Sequence, residues 1–185
     1  MRTTLNQIRT YGPCRDGWEK LLRRLGKTAA DDEPLWIDTI LDYNGLDDAL
    51  WCLRAAEGCD REIRLYAVWC ARRVQHLMTD PRSVAALDVA ERHARGEASD
   101  KELNAARSLA AAAWAAAGRA AAAAACEAAE SWAALWAAAG RAAAGRVAEW
   151  AECAARAAGM DRDTERAAQV EELRRICREM REAKP

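Results

Sequence analysis

Phenylalanine is absent from this 185-residue chain, and histidine occurs only twice. Bulky aliphatic side chains are scarce as well: Leu, Ile and Val together number 27, about 15% of the residues. That is below the ~20% that accompanies disorder in strongly charged chains, but here the net charge is only -1. No run of 18 apolar residues has the character of a membrane helix. The longest candidate, 108–126, is mostly Ala and is interrupted by Gly118 and Arg119. The first 25 residues contain polar and charged positions throughout and hold no apolar stretch of the kind a secretory leader needs. With 28 basic and 29 acidic residues there is no bulk attraction to nucleic acid or to an acidic membrane. The expectation is a cytoplasmic protein with neither kind of partner.

Signatures of chemistry are missing too. His76 and His93 lie 17 residues apart on different predicted helices, and each suits a helix C-terminus, where its charge complements the macrodipole. Seven cysteines include no CxxC pair, and Cys52, Cys59 and Cys70 are spaced by seven and eleven. Without a secretory address they read as reduced thiols serving as small apolar core residues rather than as disulfides or zinc ligands. Ser83, Ser99, Ser108 and Ser131 have no GxSxG context, and neither GxxxxGK[ST] nor GxGxxG occurs. Carboxylates are so plentiful that any catalytic pair would be an arbitrary choice. Arg72-Arg73 and the terminal Arg174, Arg175, Arg178 and Arg181 are interleaved with acids or apolar positions and follow no helix-turn-helix pattern. These absences point to a protein that is not an enzyme and uses no cofactor or metal.

What the chain has is alanine and tryptophan. Ala accounts for 46 residues, 31 of them within 105–158, and there are eight Trp. Trp-Ala-Ala-Ala-Gly-Arg-Ala-Ala-Ala occurs at Trp114 and again at Trp136, and Trp132 and Trp150 follow Trp114 by 18 and 36 residues. At ~100° per residue those offsets put all four Trp on one helical face. An unbroken helix over 54 residues would reach about 80 Å, so two or three helices are expected, with breaks near Gly118, 127–131, Gly140 or Gly145. Ala permits close helix approach and Trp fills the gaps. Trp51 and Trp69 also read as core.

Nothing reads as a strand, while helix punctuation recurs. Thr4 with Gln7 fits a capping box. Asp16 is placed to cap a helix carrying Trp18, Leu21, Leu22 and Leu25, which Gly26 ends. Pro34 suits the first turn of a helix through Leu35, Trp36, Ile37, Ile40 and Leu41. Asn44-Gly45 marks a turn, and the next helix runs to a stop at Gly58. Asp60 opens a helix through Met78, Asp80-Pro81 starts another that Gly96 ends, and Ser99 with Glu102 is a second capping box. Asp161 or Asp163 caps the last helix. The fold class is therefore all-α, a compact multi-helix bundle or stacked helical hairpins with an Ala/Trp-rich C-terminal half. It is read as one domain over 1–185, with short amphipathic helices in 1–100, Ala/Trp-rich helices in 101–160 and a C-terminal helix in 161–185.

Charge is unevenly placed. Residues 1–30 carry a net +5, and residues 31–60 a net -8. Such a block steers a basic partner and fixes its register. The plainer reading is a solvated face with Asp31, Asp47 and Asp60 as caps and the rest neutralising the basic N-terminal helices.

Two segments are distinctive: Asn44-Gly45-Leu46-Asp47-Asp48-Ala49-Leu50-Trp51-Cys52-Leu53-Arg54-Ala55, and Asp60-Arg61-Glu62-Ile63-Arg64-Leu65 continuing through Val68-Trp69-Cys70-Ala71-Arg72 and Gln75-His76-Leu77-Met78-Thr79-Asp80-Pro81. Over residues 14–115 the chain resembles the immunity-protein family of bacterial polymorphic toxin loci and phage genomes, the fifth in the usual immunity-protein series. The resemblance implies an all-α protein that binds and neutralises a cognate toxin, and it carries no catalytic residues. The expected function is a non-enzymatic inhibitor that occludes a toxin or another basic protein through Asp38, Asp42, Tyr43, Asp47 and Asp48 around the Asn44-Gly45 turn. The alternatives are a phage-encoded anti-defence protein and a helical adaptor binding a host protein, with a homodimer through the Ala-rich helices as a further assembly.

Overall fold

The computed structural model describes residues 1–78, 80–120, 148, 159 and 161–183, and side chains among these except for 113–120. Eight α-helices and one two-stranded ribbon occur among the described residues, so the fold is all-α. The tryptophan side chains at Trp114, Trp132, Trp136 and Trp150, and the breaks expected near 127–131, Gly140 or Gly145, lie outside the side chains and residues so described; near Gly118 no break occurs, because one helix, Asp100–Ala120, runs through it. No helix among the described residues is long and apolar enough to cross a membrane. The chain divides into two compact units, Met1–Cys59 with Val170–Pro185, and Asp60–Gln169.

The first unit begins with strand β1 (Arg2–Thr3) and helices α1 (Leu5–Thr10) and α2 (Arg15–Leu25). Strand β2 (Leu35–Trp36) follows, then α3 (Ile37–Asn44), α4 (Leu46–Cys52) and a 3-10 turn over Leu53–Ala55. The ribbon was not expected: Leu35 and Trp36 read as the start of a helix after Pro34. Instead Leu35 pairs with Thr3 and Trp36 with Arg2, antiparallel, and α3 starts at Ile37. The cause is tertiary. The main-chain groups of 35–36 find partners some thirty residues upstream, which no local pattern reveals. The ribbon also draws in the N-terminus, since Ile37 N–H donates to the Met1 carbonyl at 3.1 Å and the Thr3 hydroxyl donates to the Ala55 carbonyl at 2.8 Å. Met1, Leu5, Ile8, Ile37 and Ile40 are buried in this unit.

Two caps differ from expectation. Thr4 does accept from Gln7 N–H at 3.1 Å, but the Gln7 amide turns away to Glu57, so only half of the capping box forms. Helix α2 starts at Arg15 with Cys14 at its N-cap, leaving Asp16 inside the first turn, where its charge still complements the helix dipole. Gly26 ends α2 as expected. At φ 67° it lets its own N–H reach Arg23 O and the Lys27 N–H reach Leu22 O.

The second unit holds α5 (Asp60–Arg73), a 3-10 turn over Gln75–Leu77, α6 (Pro81–Ala94) and α7 (Asp100–Ala120). Helix α8 (Arg162–Glu182) gives its residues up to Gln169 to this unit and the remainder to the first. Helix α5 stops at Arg73, five residues short of the expected Met78, where Val74 leaves helical geometry and the chain tightens into the 3-10 turn. Asp31 and Asp47 cap no helix, since Trp36 and Gly45 hold the N-caps of α3 and α4, whereas three expected caps form. Asp80 accepts from Arg82 N–H, Ser99 and Glu102 bond reciprocally, and Asp161 accepts from Thr164 N–H. Hydrogen bonds from Arg82, from the Ser99 main chain and from Thr164 hold the carboxyls of Asp80, Glu102 and Asp161, respectively, below their ordinary range.

The buried polar chemistry of this unit is concentrated on α8. Glu165, 1% exposed, accepts from Arg73 Nε at 2.7 Å. Gln169 donates to the Ala148 carbonyl at 3.0 Å and to Glu165 at 3.3 Å, while the Tyr66 hydroxyl donates to the Gln169 carbonyl at 3.4 Å. Trp69 is half-buried rather than core, with the Arg73 guanidinium 5.1 Å over its ring. Removing Arg73 strands a buried carboxylate, whereas the Arg15–Glu19 pair is in water. Urea denaturation is therefore expected to show Arg73→Met costing about 3 kcal/mol and Arg15→Met under about 0.5 kcal/mol.

Candidate functional site

The turn between α3 and α4 is made by one residue. The Gly45 N–H donates to Leu41 O at 3.0 Å and closes α3, and its carbonyl accepts from Ala49 N–H at 3.1 Å and opens α4. This requires φ 97° and ψ 179°, a region essentially reserved for glycine. The sharp joint brings Asn44 and Asp48 together across it. The Asn44 amide nitrogen donates to Asp48 Oδ2 at 2.7 Å and to the Gly17 carbonyl of α2 at 2.8 Å. One side chain thus ties three helices. Gly17 is required there, because a Cβ at that position would stand 2.9 Å from Asp48 Oδ2 and 3.1 Å from Cys14 Sγ.

Beside this clamp lies a cavity of about 100 Å³. Ile8, Leu21 and Ile40 supply aliphatic surface, and Trp18 and Trp51 supply aromatic surface. Pro13, exposed Cys14 and Gly17 border it at the start of α2. Asn44, Asp48 and the buried Cys52 complete the lining. The Asn44 Oδ1 atom is buried with no hydrogen-bond partner. Burial, reinforced by the negative charge of Asp48, pushes the Cys52 thiol up to about 12, so it stays neutral and behaves as a core residue. Trp51 is half-buried, not fully core as expected; Arg54 covers its ring at 4.3 Å.

The five acidic-turn residues divide into two groups. Asp38, 17% exposed, receives both of its carboxylate bonds from Arg181 Nη2 at 2.8 Å. Asp42 receives one from Arg174 at 2.8 Å. These pairs run in opposite order along α3 and α8, and Arg181 also lies 4.4 Å over the Trp36 ring. The acidic block is thus partly neutralised from within, by the C-terminal helix rather than the basic N-terminal helices. Lys27 does contribute at one end, binding Asp31 and Glu33, each at 2.5 Å. Tyr43 is half-exposed, Asp47 is exposed in the first turn of α4, and Asp48 faces the cavity.

Comparison with protein-family models, with curated proteins and with solved structures gives no match to this chain. The site therefore rests on its own geometry. Asn44 read only as a turn former, and Cys14, Gly17 and Trp18 were not singled out for function. One signal was available: Asn and Asp four residues apart bridging a helix joint, a spacing at which amide and carboxylate meet. Elsewhere, His93 Nε2 lies 2.8 Å from Asp100, an exposed interaction. Among the described residues no group of three or more His, Cys, Asp or Glu is arranged to hold a metal ion.

The clamp makes Asn44 and Asp48 energetically dependent on each other. A double-mutant cycle with Asn44→Ala and Asp48→Ala, followed by urea denaturation, is expected to give a coupling of about 1–2 kcal/mol. Additive effects would show that the amide–carboxylate bond contributes nothing.

Proposed function

We propose that this chain is a non-enzymatic, cytoplasmic protein-binding inhibitor, an immunity protein that neutralises a toxin by occluding its working surface. The observation that carries the reading is a cavity bordered by a carboxylate, set against the exposed acidic start of α4. A basic partner meets complementary charge there, and an apolar recess gives it an anchor point. The resemblance over residues 14–115 supplies the toxin as the kind of partner. A contact of roughly 800 Å² per side covers this turn and its surroundings.

The geometry also shifts weight within the contact. Asp38 and Asp42 already pair with Arg181 and Arg174, so engaging them means giving up those bonds. Asp48 lines the cavity, and Tyr43 and Asp47 flank the one-residue joint beside it, so these three are assigned the larger share. Rim charges act mainly on association rate and its salt dependence.

The test is capture of basic proteins from the native host by the intact chain, with variants compared side by side. Asp47→Lys combined with Asp48→Asn is expected to abolish a salt-sensitive capture, while Asp38→Asn combined with Asp42→Asn retains most of it. Equal capture by all variants would remove the site, and inhibition of no captured protein would remove the inhibitor reading.

A further inference from the structure

The cavity in the first unit has a chemistry more specific than an apolar dent. Its aliphatic part, Leu21 and Ile40, suits a hydrocarbon chain. Its polar part includes the Asp48 carboxylate. A carboxylate on the wall of an apolar cavity calls for a donor that carries positive charge, since a neutral donor leaves the carboxylate's field unanswered. Trp18 and Trp51 add electron-rich rings, which attract cations. The surroundings already behave this way. Lys20 Nζ donates to the Asn44 main-chain carbonyl at 3.1 Å, and Arg54 lies over Trp51, yet neither residue lines the cavity.

Size narrows the ligand. At about 100 Å³ the space is about two-thirds of the roughly 150 Å³ that admits a benzene ring. A slender, unbranched chain enters and a bulky ring does not. The exposed Cys14 is among the residues that border the cavity.

We infer that the cavity receives a lysine side chain of the basic partner, its methylene stem against Leu21, Ile40 and Trp18 and its ammonium on the Asp48 carboxylate. This rests on the protein-binding reading for the identity of the occupant, while the recognition chemistry belongs to the cavity alone. Asp47 and Asp48 then have different roles: the first draws the basic partner in, and the second holds one of its side chains.

The experiment uses the full chain and two probes of matched shape, n-pentylammonium and 1-pentanol, followed through the indole N–H resonances of Trp18 and Trp51. The ammonium is expected to bind saturably, shift both resonances, and bind about tenfold more tightly than the alcohol. Asp48→Asn should erase that preference, with Asp42→Asn keeping it. The variants' circular dichroism confirms that each is folded. Equal affinity for the two probes, or a preference that survives Asp48→Asn, would overturn the assignment. So would the absence of saturable binding. If neither probe binds while the Asp47 and Asp48 variants still lose partner capture, the lysine pocket falls and the protein-binding reading stands.

Discussion

A single glycine with a left-handed φ sets the geometry on which the first unit depends. Gly45 serves as the end of α3 and the beginning of α4 at once. With no linker between the helices, Asn44 and Asp48 remain one helical step apart in sequence while belonging to different axes. Their hydrogen bond then reaches α2 through the Gly17 carbonyl. A longer turn would satisfy the same helix ends but separate the amide from the carboxylate. The clamp, the neighbouring cavity and the position of the Asp47–Asp48 pair all follow from that one joint.

Electrostatics explains why the acidic block is not uniformly available. A carboxylate half-withdrawn from water needs a partner, and α8 supplies guanidinium groups to Asp38 and Asp42 in antiparallel order. Such exposed or half-exposed pairs are individually worth little. Their consequence is spatial. They lower the charge along α3, while Asp48, in the first turn of α4, borders the recess.

Much of the fold was legible because its signals are local. Gly26, Gly45 and Gly96 mark stops, and Asp80, Ser99 with Glu102, and Asp161 mark starts, each through main-chain groups within a few residues. The stop expected at Gly58 comes earlier, with α4 ending at Cys52 and a 3-10 turn at Ala55. What failed was long-range. Leu35 and Trp36 left the helix expected after Pro34 because Arg2 and Thr3 pair with them. Gln7 abandoned its capping role for Glu57, fifty residues away. The half-burial of Trp51 and Trp69 under Arg54 and Arg73 was hidden for another reason: helical periodicity identifies an inward face but not the arginine that covers its margin. The candidate site was half visible. Charge counting located the acidic segment, but the division between engaged Asp38 and Asp42 and cavity-lining Asp48 depends on a helix more than 120 residues further along.

The most direct measurement is the unfolding free energy of Gly45→Ala. A Cβ at this position meets nothing within 4 Å, so any loss reports backbone conformation and not a clash. The one-residue joint predicts a loss of about 1–3 kcal/mol, accompanied by a change in the Trp18 and Trp51 indole environments. A variant as stable as the parent, with both indoles unmoved, would contradict it.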